Sequence, residues 1–467
     1  LRTLFITFEE DDWEEALEDL RNTDVDVPAA VAVDGVKLDK VGIRFRGNTS
    51  YMMVPRGLKR PLNLSVDMVN KTQKLLGYKT LNLLNFPSDP SMMSSVLYSH
   101  IARQYFQAPK ANFVKVVVNG ESWGVYANVE QFNKDFVAAA YKGTEVKDKE
   151  GARWKVEGSP QADGGLRYLG ENTSLYRQRY TIKSKDNPAD WKALINLCRI
   201  LNATPSSQLE SALKPILDID NVLKFLAIDI VSNNSDGYWT RASDYSLYLD
   251  PKGMFHIVPH DTNEAFRGGG GPGRPGGPGG PGGFGGLGGF GGPPPTEGLG
   301  FQGGQDGPGR IQGGPGGQGG PMGEGRISDP TKLDPLTGLD DERKPLRSKL
   351  LAVPSLRAKY LGYVKQMAQD SLDWNKVGPF IESCRTLLTP EVKADTRKQF
   401  SFEAFTSSFN ATSQSSQARP TAQAGRPGNS PFEGGQTMGR PRLTLRGFIE
   451  GRRAYLLGYK EGAGGES

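Results

Sequence analysis

The chain has 467 residues, enough for two or three domains or for one large domain with insertions. Its formal net charge of +5 is spread along the chain without a dense Lys/Arg block, so nucleic-acid binding is not indicated. No apolar run reaches transmembrane length, and the two cysteines and three histidines lack the spacing of a zinc site.

The N-terminal part of the chain, residues 1–140, is predicted to be rich in β-structure. The segment "VAVDGVKLDKVGIRFRG" alternates like two paired strands with a turn at Asp34 and Gly35, and "LNLSVDM" reads as another strand. The segment "NFVKVVVNGESWGVYANVEQF" predicts a hairpin that turns at Asn119 and Gly120. Between these strands, residues 91–106 are predicted to form a helix.

The rest of the chain is predicted to be mostly helical, with two tracts of biased composition. Helices are expected for residues 190–201, 218–231, 344–405 and 444–459. Residues 268–330 are almost entirely Gly and Pro, and such a segment cannot bury enough apolar surface to offset its ordering entropy, so disorder is predicted. The chain is therefore divided into an N-terminal lobe (1–140), a central part (141–267), the Gly/Pro-rich insertion (268–330), a helical lobe (331–405), a flexible polar tract (406–440) and a C-terminal helix with its tail (441–467).

The two cysteines, Cys198 and Cys384, lie far apart in helix-like segments, and buried free thiols are expected rather than a disulfide. The first residue is Leu rather than Met, which is compatible with removal of a signal peptide. Secretion or a cell-surface location is therefore kept as an open expectation.

Three carboxylates flank a predicted hairpin in "SNNSDGYWTRASDYSLYLDPKGMFHIVPHD", residues 232–261. Residues 245–249 and 254–258 read as its strands, and "DPKG" reads as the turn. The open end of an antiparallel hairpin brings together the residues that flank its strands, so Asp244 and Asp261 are expected to meet there. Asp236 lies in the loop that leads into the same end.

Converging carboxylates repel one another, and a site that collects them usually holds a cation. Carboxylate oxygens suit Mg²⁺ bound to substrate phosphates, which is the core of phosphoryl transfer. Asp236 is therefore the candidate catalytic residue that orients an attacking hydroxyl, and Asp261 and Asp244 are the candidate metal ligands. The alternative is that these residues only form turns, and this is the reading adopted for Asp250.

Nucleotide phosphates would need basic groups and backbone donors, and "IRFRGNTSYMMVPRGLKRPLNLSV" offers a strand, a loop and a second strand. The candidates for holding phosphates in this segment are Arg46, Asn48, Ser50, Lys59 and Arg60. The alternative is an ordinary surface hairpin with basic residues. Glu130 is a candidate partner of a phosphate-binding lysine, or else a solvated glutamate. Lys155 is a further basic candidate, with a structural role as the alternative.

These motifs, taken in order, resemble the CotH family of atypical protein kinases, known from spore coats and from fungal surface invasins. The matching segments include "GIRFRGNTS", "KRPLNLS", "YKTLNLLN", "DPSMMSSVLYSHIAR", "VNGESWGVYANVEQFNKDF" and the hairpin segment above. The resemblance implies an α+β, minimal protein-kinase-like fold with a β-rich N-lobe and a mostly helical C-lobe. It also implies ATP and Mg²⁺ (or Mn²⁺) as cofactors, and phosphorylation of Ser or Thr in a protein substrate. Separately, the protein is expected to be a monomer.

Carried over to this sequence, Asp236 matches the catalytic-loop Asp of the family and Asp261 matches its metal-binding Asp. The sequence departs from the family pattern at His260, where members usually have Trp, and at Asp244, where they commonly have Asn. Two alternatives therefore stay open. A kinase-like fold can use ATP for adenylylation or amino-acid ligation, and a surface adhesion or structural protein can retain the fold without catalysis.

Overall fold

Seven strands close into a barrel in the N-terminal part of the computed structural model, which describes residues 1–147, 149–156, 163–267, 329–411 and 443–461. The strands are β1 (Arg2–Thr7), β2 (Val27–Val33), β3 (Val36–Phe45), β4 (Leu62–Ser65), β5 (Thr80–Leu84), β6 (Ala111–Val118) and β7 (Glu121–Glu130). Their order is β1-β2-β3-β4-β5-β7-β6, and the parallel pair of β1 and β6 closes the barrel. Its interior is a separate apolar cluster.

Both predicted two-residue hairpin turns in this part are confirmed. Asp34 and Gly35 have φ of +48° and +79°, and Asn119 and Gly120 have φ of +48° and +83°. Two successive positive φ values are what a tight hairpin between twisted strands requires. The β-rich character of the N-terminal part is therefore confirmed, but its closure into a barrel is a finding that the local sequence pattern did not predict.

A second sheet contains four strands and carries the hairpin with the carboxylates. The strands are β8 (Ala152–Val156), β9 (Tyr180–Ile182), β10 (Tyr245–Leu249) and β11 (Phe255–Pro259). Their order is β11-β10-β8-β9, and all neighbours are antiparallel. Every residue of β10 and β11 is buried, so this hairpin lies inside the protein rather than on its surface.

Helices are more abundant than strands in the described chain, and the presence of both confirms the α+β class. They are α1 (Trp13–Asp19), α2 (Thr49–Met52), α3 (Ser94–Ala102), α4 (Lys134–Ala140), α5 (Thr173–Arg177), α6 (Pro188–Ala203), α7 (Ser206–Leu213), α8 (Ile219–Val231), α9 (Tyr238–Arg241), α10 (Pro345–Ser348), α11 (Pro354–Asp370), α12 (Trp374–Ala394), α13 (Phe402–Ser407) and α14 (Leu445–Gly458), with 3₁₀ turns at Pro330–Lys332 and Leu350–Ala352.

The helix predicted for residues 91–106 is shorter in the structure, because the side chain of Asp89 binds the first residues of the predicted segment. The Asp89 carboxylate accepts hydrogen bonds from the amides and hydroxyls of Ser91 and Ser94, at 2.5 to 3.0 Å. Asp89 thereby satisfies donors that a continuing helix would otherwise leave unpaired. The helix α3 therefore begins only at Ser94.

The main core joins the second sheet to the long helices. Helix α14 docks on this core through its apolar side chains. Thr444 caps the helix by accepting a hydrogen bond from the Gly447 amide at 3.0 Å. Cys198 and Cys384 are free and buried, as predicted.

Two predicted segments fall largely outside the described residues. The Gly/Pro-rich insertion is described only at its last two residues, and the polar tract only at residues 406–411, where α13 ends. Of the described helices, none is both long and apolar enough to cross a membrane.

Candidate functional site

The open end of the β10–β11 hairpin has the predicted geometry. Tyr245 pairs with Pro259, and beyond this pair the His260 amide donates to the Asp244 carbonyl at 2.8 Å. Asp244 and Asp261 therefore flank the same end of the ribbon. The second strand begins at Phe255, one residue later than predicted.

Both of these aspartates adopt a left-handed backbone conformation. The φ angle is +59° at Asp244 and +50° at Asp261. Non-glycine residues rarely adopt this region, and they persist there when the surrounding structure holds them, which happens often at functional sites. The two bends interrupt the strand alternation at the points where the carboxylates leave the sheet.

The loop that carries Asp236 is held against the end of α8 by another aspartate, Asp229. The Asn234 amide donates to Asp229 Oδ1 at 2.9 Å, and the Trp239 indole donates to the Asn234 carbonyl at 2.7 Å. A Cβ atom at Gly237 would lie 2.2 Å from Asp229 Oδ1, so only glycine fits at this point of the loop. These contacts fix the loop on both sides of Asp236.

The three predicted carboxylates come together at the open end. Burial raises the pKa of Asp244 well above its usual value, and the nearby charges of Asp261, Asp236 and Asp229 raise it further. The Oδ2 atom of Asp244 is buried and has no hydrogen-bond partner among the described residues. Such an atom bears the cost of desolvation without compensation, and either a proton or a bound cation would relieve that cost.

Asp236 is in a milder environment. Its Oδ1 lies 3.1 Å from Arg241 Nη1. Burial raises the pKa of Asp236, Arg241 offsets part of this rise, and Asp261 adds to it. A carboxylate whose pKa is raised from its usual value is better suited to accept a proton.

The acidic side chains of this cluster are candidate ligands of a divalent metal. Within the described ranges, no group of three or more His, Cys, Asp or Glu side chains is placed to hold a metal ion. Asp244 and Asp261 nevertheless supply two carboxylates, one with an unpaired buried oxygen. Mg²⁺ is typically bound by one or two carboxylates together with substrate phosphates. The donors therefore fit a metal that arrives with a nucleotide better than a permanent structural ion.

A cleft runs from the barrel to this acidic cluster. It encloses about 570 Å³, part of it open to solvent, and its apolar wall is formed by Leu84, Ala108, Val129 and Phe132. The polar wall includes Arg46, Tyr98, Glu130, His260 and Asp261. A second, smaller space is lined by three of the same residues, Leu84, Ser95 and Asp261, so the two spaces adjoin.

Arg46 is the predicted phosphate-binding residue that the structure places in the first space. Burial lowers the pKa of its guanidinium, and the charge of Asp261 offsets part of that effect. Ser50 lines the second space, and its carbonyl accepts a hydrogen bond from the Asn85 side chain at 3.1 Å. Asn48 is exposed and does not line either space.

Lys59 and Arg60 are not brought to the cleft. The Lys59 ammonium is buried and lies 2.6 Å from Asp395 Oδ2 and 3.1 Å from the Val125 carbonyl. Arg60 bonds to Glu18, and its Nε donates to the Val54 carbonyl at 3.0 Å. The prediction placed both at the phosphates because a basic pair follows the loop, but tertiary packing turns them towards acidic partners.

Two further candidates have contacts that differ from the predicted ones. Glu130 lines the cleft, but its Oε2 accepts from the Lys110 amide at 3.0 Å rather than from a lysine side chain. Lys155 lies on β8 opposite Ser246 of β10 and is not among the residues lining the cleft.

Sequence reasoning missed several polar residues of the site. Glu264 and Arg267 follow Asp261 by three and six residues, and Arg267 Nη1 donates to Glu264 Oε2 at 2.8 Å. Burial raises the pKa of Glu264, and Asp236 and Asp261 contribute to the rise. Tyr98 and Asp229 lie on α3 and α8, far from the hairpin in sequence. The acidic-to-basic spacing in "NEAFR" was the one local signal that pointed to such a pair.

The fold and site define an α+β protein whose acidic cluster lies at the mouth of a partly apolar cleft. The chain belongs to the CotH family, because the family model described as "CotH kinase protein" matches residues 43–456.

Two curated relatives show how far the similarity extends. Inner spore coat protein H of Bacillus subtilis (strain 168) is 24% identical over 237 residues, which cover 50% of this chain and 61% of the relative. Invasin CotH7 of Rhizopus delemar is 23% identical over 169 residues, which cover 35% of this chain and 26% of the relative. The matched region spans less than two thirds of each relative.

Proposed function

We propose that this protein is an ATP- and divalent-metal-dependent protein kinase that phosphorylates Ser or Thr in a protein substrate. The observation that carries the proposal is that Asp236 and Asp244 lie close to Asp261, the carboxylate that lines the cleft. Family membership supports the same reaction class. A metal together with a phosphate chain suits this arrangement best. The metal would pair with the unpaired carboxylate oxygen, and the phosphates would pair with the adjacent cations.

The two walls of the cleft suggest how a nucleotide would bind. The apolar wall suits a flat base, since ligand pockets are mostly apolar with a few placed polar groups. The polar end at Asp261 suits the phosphates, with Arg46 nearby as a cation. This orientation leaves the terminal phosphate closest to the acidic cluster.

The residues of the cluster divide into two roles. Asp261 and Asp244 would hold the metal, which supplies charge neutralisation of the phosphates when bound. Asp236 would orient the substrate hydroxyl and accept its proton as the hydroxyl oxygen bonds to the γ-phosphorus of ATP, while the bond from that phosphorus to the β,γ-bridging oxygen breaks and ADP leaves. The raised pKa of Asp236 favours the proton transfer because it brings the carboxylate closer to working pH.

A non-catalytic surface or coat role is the second candidate, and the names of the two relatives favour it. Against it stands the unpaired buried oxygen of Asp244, because a binding module gains nothing from a costly uncompensated charge. A third use of the same site is transfer of an adenylyl group or ligation of an amino acid, which needs similar metal and phosphate contacts.

Intact-mass analysis separates these candidates. The protein is incubated with ATP and Mg²⁺ or Mn²⁺, alone and with a generic Ser/Thr-containing protein, and the mass added to either protein is read. A phosphate increment supports the kinase, whereas an AMP or amino-acid increment contradicts it. Asp236→Asn is expected to reduce turnover by about 10²- to 10⁴-fold. Nucleotide binding in that variant should persist, seen as thermal stabilisation of about 2.7 kcal/mol at 100 times Kd.

No thermal stabilisation by ATP with either metal, together with no mass increment, would leave the non-catalytic role as the better explanation. Full turnover by Asp236→Asn would remove that residue from the mechanism while leaving the reaction class intact.

A further inference from the structure

Arg267 is a cation of the site that neither the sequence motifs nor the family pattern assigned. It lies six residues after Asp261 and lines the second space of the cleft together with Ser50, Asn85 and Asn263. The first and second spaces adjoin and are both lined by Asp261, so Arg267 lies beyond the carboxylate where a metal would bridge phosphates.

The guanidinium of Arg267 is buried, and two of its three nitrogen atoms have no hydrogen-bond partner among the described residues. Its side chain is 10% exposed, and Nη1 donates to Glu264 Oε2 at 2.8 Å. Its Nε and Nη2 atoms are buried and have no hydrogen-bond partner among the described residues. A buried donor of a charged group without a partner is expensive, so an acceptor is expected to arrive from outside the described residues.

Several described arginines leave one buried nitrogen unpaired, as the fully buried Arg452 does at Nε, but Arg267 leaves two, and a second fully buried arginine leaves none. Arg347 is fully buried, and its Nε and Nη2 donate to the carbonyls of Thr337 and Pro335 at 2.7 to 3.1 Å. Arg347 is therefore satisfied by the fold itself. Arg267 has the same chemical capacity, and the described fold uses one of its three nitrogen atoms.

The surroundings favour an anion over a polar neutral group. The one carboxylate lining the second space besides Asp261 is Asp89, and its oxygens are occupied by Ser91 and Ser94. Glu264 binds Nη1 of Arg267 and the charge of Asp236 also interacts with the guanidinium, so Nε and Nη2 are the donors left for an anion that arrives with its own cation. A planar fork of two N–H groups matches the geometry of phosphate oxygens.

We propose that the second space is the phosphate subsite of the cleft and that Arg267 binds the β- or γ-phosphate of the nucleotide there. The inference rests on the proposed function, because it takes a nucleotide as the ligand. In this arrangement Arg267 has the role that the sequence motifs assigned to Lys59 and Arg60. The base lies on the apolar wall, and the phosphate chain passes Asp261 to reach the guanidinium.

The test compares nucleotides that differ in phosphate number. Binding of ATP, ADP and AMP with Mg²⁺ is measured by calorimetry for the wild type, Arg267→Gln and Arg267→Lys. Arg267→Gln should weaken ATP binding by about tenfold to a hundredfold, the worth of a charge-assisted hydrogen bond, and change AMP binding by less than about twofold. Arg267→Lys should retain part of the ATP affinity, because it keeps the charge and loses the fork.

Two controls isolate the phosphate contact. Arg56→Gln removes one exposed arginine paired with Glu15, and should leave all three affinities unchanged. The double variant Arg267→Gln/Glu264→Gln relieves the carboxylate that the single variant leaves unpaired. The selective loss of ATP binding should remain in the double variant.

Equal losses for ATP and AMP, or no loss for either, would overturn the phosphate subsite. If ATP binds with the predicted pattern but no phosphate is transferred, the subsite stands and the kinase proposal fails. If transfer occurs and Arg267→Gln binds ATP like the wild type, the kinase proposal stands and the subsite fails.

Discussion

Both ends of the β10–β11 hairpin carry acidic side chains, but the electrostatic environments of these side chains differ. At the turn end, His256 lies between two carboxylates, with Nδ1 3.2 Å from Asp218 Oδ2 and Nε2 3.3 Å from Asp250 Oδ2. Asp250 Oδ1 also accepts from the amides of Lys252 and Met254 at 2.9 and 3.0 Å. Each carboxylate at this end has partners supplied by the fold.

At the open end, the carboxylates face one another instead. Asp244 has an unpaired buried oxygen, and its pKa is raised by burial and by its acidic neighbours. The pKa of Asp218 at the turn end is lowered, because hydrogen bonds from His256 and the Asn221 amide outweigh its burial. The comparison shows that a buried carboxylate marks a ligand site only where the fold gives it no hydrogen-bond donor or cation as a partner.

The largest expected effect is the loss of activity in Asp261→Ala. Under the proposed function Asp261 holds the metal, so its removal should lower phosphoryl transfer by about 10³-fold, which corresponds to about 4 kcal/mol in activation free energy. Metal-dependent nucleotide binding should weaken in parallel, as measured by calorimetry with and without Mg²⁺. The matched control is Asp250→Asn at the turn end, which should cost stability without changing the metal dependence. Equal metal dependence in both variants would erase the contrast between the two ends.

A second prediction extends the contrast to the barrel. Lys59→Met leaves Asp395 buried without its cation, and breaking a buried pair in this way costs about 3–5 kcal/mol of unfolding free energy. Denaturant unfolding measures the loss, and Lys59→Met/Asp395→Asn should recover part of it. ATP affinity, measured at a temperature where the variant is folded, should be unchanged. A stable variant that no longer binds ATP would return Lys59 to the phosphate-binding role that the motif suggested.

The third prediction concerns the turn end alone. His256→Phe leaves the Asp218 and Asp250 side chains without their shared partner and should lower the free energy of unfolding by about 1–3 kcal/mol. Because the folded pKa of Asp218 is lowered, its stabilising contribution is complete above the unfolded pKa of about 4 and is lost as the pH falls through the folded value. The difference between variant and wild type should therefore shrink in acid. A constant difference from pH 7 to pH 2 would contradict this account.

The smallest effect is expected for Asp244→Asn, and this substitution should raise the free energy of unfolding rather than lower it. The folded pKa of Asp244 is raised, so the folded state binds more protons than the unfolded state and ionisation destabilises it as the pH rises. Without metal, Asp244→Asn should therefore be more stable than the wild type at pH 8, by about 1 kcal/mol, the scale of one buried polar group. At pH 5 the gap should narrow. Thermal unfolding in EDTA measures both, and a less stable variant at pH 8 would show that Asp244 is paired after all.

Part of the site was predictable because it depends on one local element. The hairpin pattern fixed where Asp244 and Asp261 would leave the sheet, since the register of a tight hairpin follows from its turn. The loop before it kept Asp236 within a few residues of the same end. Arg46 was found through its position after β3, and Ser50 through the loop that follows.

The rest of the site depended on contacts between distant segments. Lys59 and Arg60 have the right charge and the right neighbourhood in sequence, but Asp395 lies more than three hundred residues away and takes the lysine. Tyr98 lies in the middle of α3 and Asp229 in the last turn of α8, where nothing in the local pattern separates a site residue from a core residue. The two open donors of Arg267 are visible only when the partners of all its nitrogen atoms are known.

The sequence alone determined the α+β class, the tight turns, the family and the meeting of the carboxylates at one end of a ribbon, because each depends on local periodicity or on ordered motifs. Only the tertiary structure decided that the N-terminal strands close into a barrel and which charges are compensated. Closure needs β1 to pair with β6, more than a hundred residues later, and compensation is a property of partners brought together by packing.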